Sequence, residues 1–292
     1  MYEKLEKCPA CDSTQLANDQ IITDHFLTGE SFALTRCTKC TLLFTNPRPS
    51  ETNISKYYNT PDYISHSNSS GTLTHIIYKW VRRFALATKT NLITQRSAQE
   101  RILDFGTGSG HFLRHLLKQG IDATGVEPYK QLIQYTDTLS SHIYQSLESL
   151  PPKQKYTAIT AWHVIEHVHE LKSTIKALRK KLEKNGFMFI AVPNYKSYDA
   201  THYGEYWAGY DVPRHLYHFD PVSFQHLIQR SKLKLIEILP MRFDAYYVSL
   251  LSEQYATGNR SYLNALKTGF RSNVKAKTTQ QYSSLIYVLQ KK

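Results

Sequence analysis

Long apolar runs are missing from this 292-residue chain. No stretch approaches the roughly 18 consecutive apolar residues that a membrane span needs. The opening MYEKLEKCPACD contains no apolar signal-peptide core. The expectation is a cytoplasmic protein with no membrane among its partners. Acidic residues are scarce beside basic ones, 24 Asp and Glu against 36 Lys and Arg, for a formal charge of +12. Such a balance favours polyanionic or phosphorylated partners, or is only a solvated Lys-rich surface, and it says nothing of the fold. Cysteine is rarer still, four residues with none beyond position 40, and a reducing compartment argues against a disulfide framework. Internal repeats are absent as well. What the chain does have is 41% hydrophobic residues, enough for one large domain or one domain with a small appendage.

The four cysteines are not scattered. Cys8 and Cys11 form CPAC, Cys37 and Cys40 form CTKC, and 25 residues separate the pairs. One C-x-x-C alone reads as a redox pair. Two, with no cysteine left over, read as four thiolates around a tetrahedral Zn2+. The loop so closed is too small to fold without such a staple. Residues 1–48 are therefore expected to form a zinc ribbon with Cys8, Cys11, Cys37 and Cys40 as ligands. A four-thiolate shell leaves no open position, so the site is structural and not catalytic.

Residues 49–98 open as a polar, Ser/Asn-rich linker with interleaved tyrosines. A short helix is expected around Ile54–Tyr58, and the apolar spacing over 74–93 predicts a longer one. From Arg101 onward strand and helix patterns alternate. RILDF, DATGV, YTAIT and FMFIAVP read as strands. Residues 111–120 read as a helix stopped by Gly120, and 129–139 as a second. A third, over 170–186, carries Leu171, Ile175, Leu178 and Leu182 on one stripe and is stopped by Gly186. Asp220 and Pro221 suit the N-cap and first position of a fourth. KLIEILP and SSLIYVLQKK finish as strands. This alternation predicts a doubly wound α/β domain with a mostly parallel sheet over 99–292.

The first strand of that domain ends in DFGTGSG, with Asp104, Gly106, Thr107, Gly108 and Gly110. Glycines there permit positive φ and let the backbone approach a ligand closely. The spacing is not the dinucleotide G-x-G-x-x-G, and a carboxylate at Asp104 suits a cationic ligand better than a pyrophosphate. Glu127 ends the second strand, 23 residues after Asp104. An acid at that place accepts hydrogen bonds from ribose hydroxyls.

Over 101–240 these features resemble the class I S-adenosylmethionine-dependent methyltransferases. The resemblance implies a Rossmann-like, seven-stranded, mostly parallel sheet. It implies S-adenosylmethionine as cofactor, with S-adenosylhomocysteine as product. The Gly turn would hold the amino-acid end of the cofactor and Glu127, with Pro128 beside it, the ribose. Ser146 and Leu147 would lie near the adenine, where many members carry an Asp that this chain lacks. After the YTAIT strand comes AWHVIEHVHE, whose His163, Glu166 and His167 follow the H-x-x-E-H order of a zinc-protease motif. That chemistry needs a long helix and a third ligand. The segment instead resembles the EH-V turn of the ubiquinone-pathway enzymes, which implies that Trp162 and His163 touch the methionine end of the cofactor. Glu166 and His167 would orient the site; Glu166 as a carboxylate at a helix N-terminus is the plainer alternative.

The acceptor side is expected in residues 194–220, crowded with aromatic rings. Trp207, Pro213, Arg214, His215 and Phe219 resemble the W-x-x-x-x-x-P-R-H-x-x-x-F segment of a subgroup of these enzymes. As a lid above the methyl, this segment would use Arg214 to hold a phosphate or carboxylate. His215, His218 or His167 would take a proton. A surface lid packed on its own rings is the alternative. Residues 241–281, inserted before the last strand, hold six Lys and Arg against two acids. They are expected to form a helical cap facing an anionic substrate, or else an oligomer contact in a monomer-or-homodimer choice. The expected function is methyl transfer by in-line displacement to a small-molecule acceptor, anionic or sugar-linked. A nucleic acid, RNA above all, is the second reading of ribbon and charge. A cofactor-binding scaffold without catalysis is the third.

Overall fold

The computed structural model describes residues 1–58, 73–97, 101–129, 132–133 and 136–292. The N-terminal part contains β1 (Tyr2–Glu3), β2 (Leu16–Thr23), β3 (Ser31–Cys37), β4 (Leu43–Thr45) and β5 (Arg48–Pro49). A 3-10 turn over Ile54–Tyr57 follows, then α1 (Leu73–Thr94). The main domain runs β6 (Arg101–Phe105), α2 (His111–Lys118), β7 (Asp122–Val126), α3 (Thr136–Leu139), β8 (Ile143–Tyr144) and β9 (Tyr156–Trp162). It continues α4 (Leu171–Lys181), β10 (Leu182–Pro193), α5 (Tyr198–Tyr203), β11 (Tyr217–His218), α6 (Pro221–Ile228) and β12 (Leu233–Pro240). It closes with α7 (Asp244–Thr257), α8 (Tyr262–Thr279) and β13 (Ser284–Lys291). Of the helix expected over 129–139 the stretch Thr136–Leu139 is helical, and 130–131 and 134–135 lie outside the described residues, as does 59–72 of the linker.

The central sheet has seven strands in the order β12-β13-β10-β9-β6-β7-β8. Strands β6 to β10 run parallel, and β13 lies antiparallel to both β10 and β12. The strands are apolar on both faces because helices cover both. Alternate side chains divide between two cores. Leu103, Ile159, Met188 and Ile190 join α4 and α6 on one side; Ile102, Ala158, Phe189 and Val288 join α2 on the other. Asp220 caps α6 as expected. Its Oδ1 accepts from Ser223 N at 2.8 Å, and its own N–H donates to Ser223 Oγ at 2.9 Å.

One boundary differs from expectation. Helix α4 stops at Lys181; Leu182 is extended (ψ 139°) and pairs with Tyr156 as the first residue of β10. Gly186 therefore does not end a helix. It lies inside β10, where a Cβ would stand 2.9 Å from Thr157 O.

The four-stranded N-terminal sheet does not stand alone. Its order is β11-β4-β3-β2, and β11 belongs to the segment expected as a lid. Trp207, Arg214, Tyr217 and Phe219 of that segment are at most 1% exposed, so residues 194–220 form a packed seam and not a free flap. Arg214 ties the seam down. Its Nη2 donates to Asp24 Oδ1 at 2.8 Å and to Asp211 Oδ1 at 2.7 Å. Removing one partner of a buried ion pair strands the other charge. Arg214→Ala should therefore lower unfolding stability by about 3–5 kcal/mol, read as a lower urea midpoint.

Candidate functional site

The carboxyl ends of the parallel strands open into one cleft of about 660 Å3, the place where ligands bind in doubly wound sheets. Gly106 and Gly108 line it from the turn after β6, Glu127 and Pro128 from the end of β7, Ser146 and Leu147 after β8, and His163 after β9. The turn is fastened to β7, since Gly106 N and Thr107 N both donate to Val126 O. Gly106 sits at φ +72°, and a Cβ there would stand 2.4 Å from a Val164 methyl. Glu127 Oε2 accepts from Gly108 N at 2.8 Å and Oε1 from Tyr129 N at 3.0 Å. Burial pushes its pKa above the ordinary value against the pull of those two donors.

Four expected cofactor residues lie behind this wall. Asp104 is 2% exposed. Its two oxygens accept from Thr160 Oγ1 at 2.6 Å and Thr107 Oγ1 at 2.7 Å, so it braces the turn and does not reach into the cleft. Thr107 is its partner. Gly110 is the left-handed N-cap of α2. Trp162 packs edge-on against Phe112, with Lys89 Nζ 4.5 Å from its ring centre. As the last residue of β9, it follows the strand alternation to the α2 side of the sheet.

A second cavity of about 310 Å3 lies beside the first, and His163 is the residue that lines both. His163 has φ +56°. Its Nδ1 is 3.3 Å from Glu166 Oε1 and its Nε2 is 2.9 Å from Asp244 Oδ2. Burial lowers its pKa, but Asp244 and then Glu166 outweigh burial and raise it to about 10. The ring is an imidazolium at neutral pH, with a third of the side chain open. The HVIEH stretch is turn and not helix, which removes the protease reading.

Behind His163 three more groups converge. His167 Nδ1 donates to Arg214 O at 3.0 Å, and His215 Nδ1 donates to Gly209 O at 2.9 Å. A carbonyl can only accept, so each ring keeps its Nε2 as an acceptor in the neutral form. The second oxygen of Glu166 is buried and has no hydrogen-bond partner among the described residues. Donor atoms of Glu166, His167 and His215 lie within 4.8 Å of one another, a set able to take a proton or a metal ion. Burial, then His215, pushes His167 down to about 4.

Two expected roles fail on geometry. Arg214 lines the second cavity, but Asp24 and Asp211 occupy its guanidinium, so it is not free to clamp an anion. His218 lines neither cavity. It lies in β11 under the Tyr210 ring, both ring nitrogens buried and without partners among the described residues, and burial drives its pKa down to about 3. The cations of α8 face away too, because no α8 residue lines either cavity. Sequence reasoning missed Asp244, 81 residues from its partner His163, together with Asp211 and Phe26 on the cavity wall; no local pattern marks them.

In the N-terminal sheet, Cys8 and Cys40 Sγ are 3.5 Å apart, Cys11 and Cys37 Sγ 3.6 Å, and all four lie within 4.8 Å. The knuckles match. Asp12 N donates to Cys8 O and Thr41 N to Cys37 O, each at 2.9 Å, and Asp12 and Thr41 both have positive φ. Bonds of about 2.3 Å to a tetrahedral ion place sulfurs at about this separation, so the set fits a structural metal. A hydrogen bond from Cys40 brings the Cys8 thiol down to about 5 against burial.

Over residues 75–238 the chain matches a family described as a methyltransferase domain. The match covers more than half of the chain, and the chain belongs to that family of methyltransferase domains. Ubiquinone biosynthesis O-methyltransferase of Pelagibacter ubique (strain HTCC1062) is 31% identical over 101 residues, 32% of this chain and 42% of the relative. Its counterpart in Rhodopseudomonas palustris (strain TIE-1) is 24% identical over 150 residues, 47% and 59% of the two chains. The chain thus spans about half the length of the curated relatives it matches. Phosphoethanolamine N-methyltransferase 2 of Haemonchus contortus, solved with S-adenosyl-L-methionine, superposes with a TM-score of 0.53 at 13% identity, covering 94% of this chain and 68% of that one. A likeness at that identity is one of fold. Among the described residues no helix is long and apolar enough to cross a membrane.

Stability should follow pH in two windows. The raised pKa of His163 gives stability that is complete below about 6.5, the unfolded value, and is lost as pH rises toward about 10. The cost of His163→Asn should therefore shrink over that range. His167 and His218 are held neutral, so their contribution is complete above about 6.5 and is lost as pH falls toward about 4 and about 3. Urea midpoints from acid to alkaline pH check both windows. Because the four thiols fit one metal ion, plasma emission should find about one per chain in the wild type and none in Cys8→Ser, whose β2 to β4 should exchange hydrogen faster.

Proposed function

We propose that the protein transfers the methyl group of S-adenosylmethionine to a small acceptor seated in the 310 Å3 cavity. The observation that carries the reading is the junction. A cleft built on the Gly turn and Glu127 meets a second, partly aromatic cavity at a single side chain, His163. When bound, S-adenosylmethionine supplies an already activated sulfonium methyl. The chain's own task is then positioning and proton removal. Gly106 and Gly108 let the backbone approach the amino-acid end, Glu127 accepts from the ribose hydroxyls, and Ser146 and Leu147 flank the adenine. Asp104, Thr107 and Gly110 hold the turn in shape.

Across the junction, His215 lines the second cavity, and its Nε2, 3.9 Å from Asp211 Oδ2, takes the proton of the attacking group. Glu166 lies beside it, and His167 lines the first cleft. Asp211 and Asp244 also face that cavity while Arg214 is already paired, so the seated end of the acceptor is neutral and hydroxylated, not anionic. The relatives named O-methyltransferases favour oxygen as the attacking atom. The four cysteines hold Zn2+, and their reduced state suits the cytoplasm.

Calorimetry with S-adenosylhomocysteine tests the cleft. Micromolar affinity is expected, and Glu127→Ala should weaken it by about 10–100-fold, the loss of charged hydrogen bonds. Transfer of a labelled methyl to a pool of hydroxylated small molecules tests the cavity. His215→Gln should keep the S-adenosylhomocysteine affinity and lower kcat by about 10²–10⁴. No binding by the wild-type protein, or full turnover by His215→Gln, would overturn the respective half.

A further inference from the structure

Helix α8 is packed the reverse way for a surface helix, which ordinarily buries its large apolar side chains. It buries Ala265, Thr268, Gly269, Ser272 and Ala276. It turns Leu263, Leu266, Phe270 and Val274 outward, at 82, 55, 61 and 44% exposure. Residues spaced like these share one helical stripe. The orientation is fixed from the inside. Gly269 lets α7 come so close that a Cβ would stand 2.6 Å from the Tyr246 ring, and Ser272 Oγ donates to buried Asp199 at 2.6 Å. The apolar surface continues past Val274. Asn273 Nδ2 donates to Arg242 O at 2.9 Å. The next residue, Phe243, is exposed and meets the exposed ring of Phe84 at 5.7 Å.

The charges around this stripe have one sign. Helix α8 carries Lys267, Arg271, Lys275 and Lys277 and no Asp or Glu, and all four are exposed. Lys267, Arg271 and Lys275 repeat every four residues and form a row along one flank of the stripe. A second copy laid on this face would bring no acid to that row. An anionic lipid surface would, because its headgroup phosphates complement the row while its acyl boundary takes up Leu and Phe side chains.

We propose that the α8 stripe docks the protein on an anionic phospholipid surface, lying in the interface and not crossing it. The docking goes beyond methyl transfer and does not depend on which acceptor the cavity takes.

The test is sedimentation of the full chain with phosphatidylcholine vesicles, with and without phosphatidylglycerol. Binding is expected only where phosphatidylglycerol is present, weakening as salt is added. Leu266→Ser with Phe270→Ser should weaken it by about tenfold or more, since both rely on burial of apolar area. Lys267→Glu with Arg271→Glu should abolish the preference for phosphatidylglycerol. Circular dichroism and unfolding midpoints identify any variant that has lost its fold. If the apolar pair unfolds the chain, the charge pair, entirely on the surface, decides. Absence of binding to the anionic vesicles overturns the proposal, and so does binding that survives both double substitutions. A dimer in sedimentation equilibrium that Leu266→Ser with Phe270→Ser dissolves would overturn it as well, by showing that a second copy covers the stripe.

Discussion

One buried guanidinium fastens the N-terminal sheet to the main domain, beside the pairing of β11 with β4. Arg214 lies between Asp24, in the loop joining β2 to β3, and Asp211, three residues before it, with the Phe26 ring 4.8 Å from its centre. Burial lowers its pKa, and the carboxylates more than restore it. A charge cluster so far from water persists only when its hydrogen bonds are nearly complete. Here they are: Asp24 also accepts from Phe26 N, Leu27 N, Thr28 N and Thr28 Oγ1. The backbone carbonyl of the same arginine accepts from His167. The loop between β2 and β3, the segment leading into β11 and the tautomer of a site histidine are thus connected through one residue.

The parts of this arrangement legible in the sequence are those written in local spacing. Two C-x-x-C pairs announce four converging thiols. DFGTGSG and Glu127 announce a strand-end cleft, and Asp220-Pro221 a helix start. What stayed hidden depends on pairings between distant residues. Nothing near Arg214 in the chain says that Asp24 will occupy it, so an arginine in an aromatic stretch reads as an anion clamp. Asp104 reads as a ligand because it ends a strand, but Thr160, from a neighbouring strand, takes its outward oxygen. Trp162 reads as a cofactor contact until strand alternation places it on the other face. Leu182 and Gly186 fit a helix by periodicity, and the pairing of Leu182 with Tyr156 decides for a strand. Helix α8 shows the same limit from another side. Periodicity shows where its apolar residues cluster, but only the inward Gly269 and Ser272 contacts determine which face is buried.

The carboxylate that α7 contributes divides the labour among the histidines. Without Asp244, His163 would face burial with Glu166 alone, and burial is the largest influence on it. With Asp244 in place, the ring stays protonated through neutral pH and is not a proton acceptor. His167 and His218 are pressed the other way and stay neutral; His167 lines the first cleft with its Nδ1–H bonded to Arg214 O, and His218 lines neither cavity. His215 lines the second cavity with its Nδ1–H bonded to Gly209 O. His163 and His167, neighbours in one turn, are driven to opposite protonation states by their surroundings, which separates a fixed charge from a neutral ring. Here the separation depends on α7, because the element that lines the second cavity also brings the carboxylate that sets the charge of His163.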